Sequence, residues 1–101
     1  MNVHELKRRL DAGEDLFILD VREPYEYQIA NIGGTLIPQN EVPLRLAEID
    51  RNREIVVQCR SGGRSQRVAE FLAQQGYANV KNLAGGILAW ADEIDPKVQK
   101  Y

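Results

Sequence analysis

The sequence predicts an α/β fold, a three-layer sandwich with a central parallel sheet and helices on both faces. Two observations carry this expectation. Short apolar runs, Leu16-Phe17-Ile18-Leu19 and Ile55-Val56-Val57-Gln58, read as strands buried on both sides. They alternate with segments of helical periodicity, the pattern of crossover units on a parallel sheet. The length of 101 residues predicts a single domain, residues 1–101.

The elements follow in order. Leu6 and Leu10 predict an opening helix over roughly 3–11, with Gly13 just past its end. Leu16–Leu19 is the first strand, and Asp20 ends it. Pro24 fits the first turn of a short helix through Tyr27 and Ala30, because its missing N–H is no loss there. Gly33-Gly34 break the chain, and Thr35-Leu36-Ile37 before Pro38 reads as a brief strand. Val42, Leu44, Leu46 and Ile49 give residues 41–49 the pattern of a moderately amphipathic helix. Residues 50–53 turn the chain into a strand over 54–58.

A seven-residue loop follows, Cys59-Arg60-Ser61-Gly62-Gly63-Arg64-Ser65. Ser65 is the expected N-cap of a helix reaching about Gln75, with Val68, Ala69 and Leu72 inward. Gly76 is placed to close it in the left-handed conformation. Asn79–Leu83 reads as the last strand. Gly85-Gly86 lead into a final helix with Ile87, Leu88, Trp90, Ala91 and Ile94, ended by Asp95-Pro96. The tail, 97–101, is expected to be exposed. Ligands of open parallel sheets bind beyond the carboxyl ends of the strands, so Asp20, Cys59 and Gly85 should gather on one edge.

Composition narrows the function. A net charge of −2 gives no signal for nucleic acid or a membrane surface. No apolar stretch is long enough to span a bilayer, and residues 1–7 contain no apolar signal region. A lone cysteine forbids an internal disulfide and suits a reducing compartment, so the expected location is cytoplasmic.

That cysteine is the centre of the chemistry. A free thiol has a pKa of about 8.5 and is mostly protonated at neutral pH. Nucleophilic work needs the thiolate, favoured by cations, helix N-termini and backbone N–H groups. The loop supplies all three. Gly62 and Gly63 let successive N–H groups curl inward as an anion nest. The following helix aims its positive end at the loop. Arg60 and Arg64 add full charges, Arg64 being the better placed. Such a cradle also suits a persulfide anion. His4 is expected on the surface, far from Cys59, so activation must be electrostatic. Asp20 and Arg22 read as structural support beside the site, Glu23 likewise. Gly85 and Gly86 are expected to permit close backbone approach beside the loop.

At this point the chain resembles a rhodanese-like domain, a family of sulfurtransferases, over nearly its whole length. Asp20-Val21-Arg22-Glu23-Pro24-Tyr25-Glu26-Tyr27 is similar to the family's first signature. Cys59 to Ser65 matches its active-site loop, and Leu83-Ala84-Gly85-Gly86-Ile87-Leu88-Ala89-Trp90 resembles its closing signature. The stretch from Ile87 to Pro96, running to Tyr101, further resembles the carboxy-terminal rhodanese domain of molybdopterin-synthase sulfurylases. In those proteins an adenylating, E1-like domain is joined to a rhodanese domain. This chain lacks a nucleotide-binding glycine motif and a CxxC zinc pair, so it is expected to be a free-standing relative or a fragment.

The resemblance implies sulfur transfer through a persulfide on Cys59, with no metal and no organic cofactor. The implied partners are a small anionic donor such as thiosulfate, a ubiquitin-like sulfur-carrier protein or a cysteine desulfurase. The family's common His-Ile-Pro-Gly-Ala is replaced by Asn31-Ile32-Gly33-Gly34-Thr35, which is expected to loosen that loop. Two other readings compete. A Cys-based phosphatase or arsenate reductase uses a Cys-x5-Arg loop, whereas four residues separate Cys59 from Arg64 here, a tighter cradle. A non-catalytic docking or regulatory module would need no intact loop.

Overall fold

The centre of the molecule is a four-stranded parallel sheet made of β1 (Leu16–Asp20), β2 (Thr35–Leu36), β3 (Glu54–Gln58) and β4 (Val80–Asn82), ordered β2-β1-β3-β4. Around it lie α1 (Val3–Asp11), α2 (Pro24–Ile29), α3 (Gly63–Gln74) and α4 (Gly86–Glu93). A computed structural model describes residues 1–101. No helix is long and apolar enough to cross a membrane.

Both central strands are apolar along their length because both faces of the sheet are covered. Side chains alternate, so Phe17, Leu19, Ile55 and Val57 enter one core with Val42, Val68 and Leu72. Leu16 and Val56 point the other way and meet Val3, Leu6 and Leu83, with Trp90 and Ala89 of α4 at the rim. Thus α3 covers one face, and α1 with α4 covers the other. The expected sandwich is observed.

Parallel pairing sets all four strand ends on one edge. Leu19 is opposite Val57 and Asp20 opposite Gln58, while Val57 is opposite Asn82. Asp20, Cys59 and the Leu83–Gly86 turn therefore converge, as expected. The glycine stops hold too: Gly13 and Gly76 have φ of +79° and +90° just beyond their helices.

Four expectations are corrected. Residues 41–49 form no α-helix. They fold as two 3₁₀ stretches, Gln39–Leu44 and Leu46–Glu48. Val42 is buried but Leu44 is 86% exposed, so the apolar residues do not share one inward helical face, and tight 3₁₀ turns carry the chain instead. The helix after the cysteine begins at Gly63 with Gly62 as its N-cap, so Ser65 lies inside its first turn. The tail is exposed as expected at Lys97, Gln99 and Lys100, but its last residue is not free. Tyr101 is half-buried, its ring edge-on to Tyr25 at 6.0 Å. The 31–35 loop is held rather than loose: Asn31 Oδ1 accepts from the Gly33 amide at 3.0 Å, and Tyr27 donates its hydroxyl to the Gly34 carbonyl at 2.8 Å.

Candidate active site

Cys59 leaves β3 with its side chain on the α3 face and keeps 1% of its surface exposed. Aliphatic neighbours lie beneath it, yet the sulfur is not a plain hydrophobe. Its Sγ accepts from the backbone N–H of Gly62 at 3.1 Å and of Ser65 at 3.4 Å. The Ser65 hydroxyl lies 3.3 Å away. Gly62 reaches this geometry at φ +117°, a conformation in which glycine is at little cost. The donors come from the first turn of α3, whose unpaired amides point at the sulfur.

Burial by itself pushes the Cys59 thiol up, because a thiolate loses water there. The Ser65 hydroxyl and amide, then the Gly62 and Ser61 amides, oppose this and leave the thiol below its ordinary value. The sulfur is thus buried and ringed by N–H donors at once, the arrangement that favours a thiolate.

The two loop arginines separate. Arg64 donates to both carboxylate oxygens of Glu26, at 2.7 and 2.9 Å. Hydrogen bonds from Arg64 hold Glu26 below the usual carboxylate range despite its burial. Arg60 instead is exposed, with its guanidinium 5.6 Å from the Tyr101 ring centre.

Asp20 and Arg22 are fully buried and do not touch the sulfur. Arg22 donates to Asp20 at 2.7 Å, and also to the carbonyls of Ala30 at 2.7 Å and Glu26 at 3.4 Å. They pin α2 to the end of β1, and α2 carries Glu26. Glu23 is the N-cap of α2 and forms a capping box with Glu26. His4 sits on the surface and pairs with Glu93 at 2.9 Å.

Gly86 lies where α4 abuts the loop. A Cβ there would stand 2.5 Å from the carbonyl oxygens of both Cys59 and Arg60. The close approach lets the Ile87 and Leu88 amides donate to those two carbonyls at 3.0 and 3.1 Å. Gly85, at φ +82°, caps α4 and lies against Gly62, where a Cβ on Gly62 would be 3.6 Å from the Gly85 nitrogen.

Three residues beside the loop escape a sequence reading: Glu26, Gln58 and Asn82. Gln58 is fully buried and donates to the Cys59 carbonyl at 2.8 Å. Asn82 contacts Ser65 and Gly62. Asn82 had one signal, a polar residue at a strand end on the same edge as Cys59. Glu26 had the spacing of a capping box after Glu23.

A strand-loop-helix that presents one cysteine to convergent amides defines a cysteine-centred anion site on a parallel α/β sheet. The rhodanese-like domain family matches residues 2–93, and the chain belongs to that family. It is 44% identical to a sulfurtransferase of Allochromatium vinosum over 87 residues, 85% of this chain and 81% of that one. It is 35% identical to the adenylyltransferase and sulfurtransferase MOCS3-2 of Zea mays, covering 96% of this chain but 22% of the maize protein. A crystal structure of a rhodanese-related protein from Thermoplasma volcanium superposes with a TM-score of 0.86, at 32% identity, over 100% of this chain and 97% of that one.

Proposed function

We propose that residues 1–101 act as one sulfurtransferase domain that carries sulfane sulfur as a persulfide on Cys59. The observation that carries this reading is the pair of peptide N–H groups, Gly62 and Ser65, aimed at Sγ at 3.1 and 3.4 Å. In the first step the Cys59 thiolate attacks the outer sulfur of a donor. A new S–S bond forms, the donor's bond to that sulfur breaks, and sulfite or a thiolate leaves with the electron pair. The charge now sits on the outer sulfur, one atom nearer the mouth. In the second step an acceptor nucleophile, cyanide or the thiolate of a small molecule or protein, attacks the outer sulfur; its bond to that sulfur forms as the S–S bond breaks, and the electron pair returns to Cys59 as the thiolate. No net oxidation or reduction occurs.

Exposed Arg60 draws an anionic donor such as thiosulfate, while Arg64 shapes the field from its pair with Glu26. A cysteine desulfurase would supply the same sulfur from a protein persulfide. The chain contains no second cysteine, so the persulfide passes to another molecule. The likeness to a fused adenylyltransferase and sulfurtransferase favours a protein acceptor. A reducing cytoplasm keeps Cys59 available.

Two-step covalent transfer gives ping-pong kinetics. Initial rates across a grid of thiosulfate and cyanide concentrations test this. Parallel double-reciprocal lines, lost entirely in Cys59→Ala, are expected; turnover that survives in Cys59→Ala overturns the assignment.

A further inference from the structure

Ser65 has one hydroxyl hydrogen and three acceptors within reach. Asn82 Oδ1 is 2.5 Å from its oxygen, the Gly62 carbonyl 3.2 Å and Cys59 Sγ 3.3 Å. One hydrogen serves one strong bond, and the shortest contact is to Asn82. The orientation of the amide is set by its other end. Asn82 Nδ2 faces the Gly62 carbonyl at 3.4 Å, and a carbonyl can only accept. With the amide reversed, two oxygens would face each other. Asn82 therefore presents its oxygen to the Ser65 hydroxyl, while its amide nitrogen is turned to the Gly62 carbonyl, a group that makes no bond to the sulfur.

We propose that Asn82 is a positioning residue that competes with Cys59 for the Ser65 hydrogen. While Sγ is uncharged, as a thiol or as the inner sulfur of a persulfide, the hydroxyl points to Asn82. When Sγ becomes a thiolate, the hydroxyl rotates and donates to the sulfur, leaving Asn82 without it. The competition raises the free energy of the thiolate relative to both uncharged-Sγ forms. This keeps the nucleophile reactive, because an over-stabilised thiolate attacks more slowly. It also tilts the exchange with a donor toward the loaded domain. The sulfur-loading consequence rests on the sulfurtransferase reading; the competition itself does not.

The charged and titratable groups around Cys59 are Arg64 with its partner Glu26 of α2, and Arg60 of the loop with the Tyr101 ring beside it. Tyr25 of α2 lies beyond them, and Asp20 at the end of β1 is sealed by Arg22. None of these residues is changed in the variants below.

The test is the pH dependence of Cys59 alkylation by iodoacetamide, which reads the thiolate without any sulfur transfer. Asn82→Ala frees the hydroxyl for sulfur, so its alkylation midpoint should fall by about one pH unit. Ser65→Ala removes the donor and should raise it. Asn82→Ala combined with Ser65→Ala should match Ser65→Ala alone, because Asn82 acts only through that hydrogen. Asn82→Asp keeps the acceptor and adds a negative charge, and should raise the midpoint; it also serves if Asn82→Ala fails to fold. A midpoint unchanged or raised in Asn82→Ala, a double variant unlike Ser65→Ala, or an unshifted Asn82→Asp overturns the proposal. Intact mass after exposure to thiosulfate separately reads loading. Failure of every variant and the wild type to gain sulfur would contradict the sulfurtransferase reading while leaving the alkylation result standing.

Discussion

Arg64 of the cysteine loop and Glu26 of α2 form a two-point ion pair, with N–O distances of 2.7 and 2.9 Å across 38 residues of chain. The loop's second arginine is thus neutralised from outside the loop. Glu26 is nearly buried and also accepts from the Glu23 amide at 2.9 Å. The pair joins the cradle to α2, and Arg22 joins α2 to the sheet.

Glu26→Gln leaves Arg64 as an uncompensated cation beside the sulfur. The KM for thiosulfate, a dianion, should fall by roughly threefold to tenfold, because the net field at the mouth becomes more positive. Stability should drop by about 1–2 kcal/mol, since one partner of a partly exposed pair is lost. Steady-state kinetics and urea melts check both. An unchanged KM would mean that Arg64 does not act on the donor.

The same carboxylate makes stability depend on pH. Arg64 holds Glu26 below its unfolded value, so folding gains from the ionised form at and above the ordinary carboxylate pKa. That gain is lost as pH falls below about 5 and through the depressed value. Urea midpoints of the wild type should decline from about pH 5 downward, and those of Glu26→Gln should decline less. Parallel acid limbs in the two proteins would contradict the ion pair's role.

Gly86→Ala places a methyl 2.5 Å from two backbone oxygens and at φ +58°. Neither obstacle is a flexible side chain, so the loop itself must move. The expected cost is about 2–4 kcal/mol, with sulfur transfer falling more than tenfold as the amide cradle opens. Thermal unfolding with activity on the same sample measures this. Gly13→Ala is the contrast: it is strained at φ +79° but meets nothing within 4 Å, and should leave activity untouched.

Arg22→Met strands the buried Asp20 carboxylate and removes the donor to the Ala30 carbonyl at the end of α2. Loss of about 3–5 kcal/mol is expected. Asp20→Leu with Arg22→Met removes both charges and should recover part of it. If the double variant is no more stable than the single, burial of the pair is not what holds α2.

Much of this was legible in the chain because it is local. The strand at 54–58, the cysteine that follows it and the glycines at 62 and 63 lie within one stretch of ten residues, and their geometry follows from short-range sterics. Asp20, Cys59 and Gly85 gathered on one edge because parallel strands end together. Glu26 was hidden because its partner is distant in sequence and it looked like a surface acid between two tyrosines. Asn82 was hidden because its role depends on β4 lying beside β3, a tertiary fact. The apolar spacing of Val42, Leu46 and Ile49 suggested an α-helix over 41–49, and nothing local revealed that Leu44 would face solvent. Nothing local in Lys97–Tyr101 announces that Tyr101 folds back to Tyr25 and Arg60.

We assign to the amide donors around Cys59 the holding of a transferable sulfur. Intact mass spectrometry under non-reducing conditions, before and after incubation with thiosulfate or a low-molecular-weight persulfide, tests it most directly. The wild type should gain the mass of one sulfur atom, lose it on addition of a thiol, and Cys59→Ser should gain nothing. A wild type that stays at its original mass with both donors, or a Cys59→Ser protein that gains sulfur equally, would contradict the account.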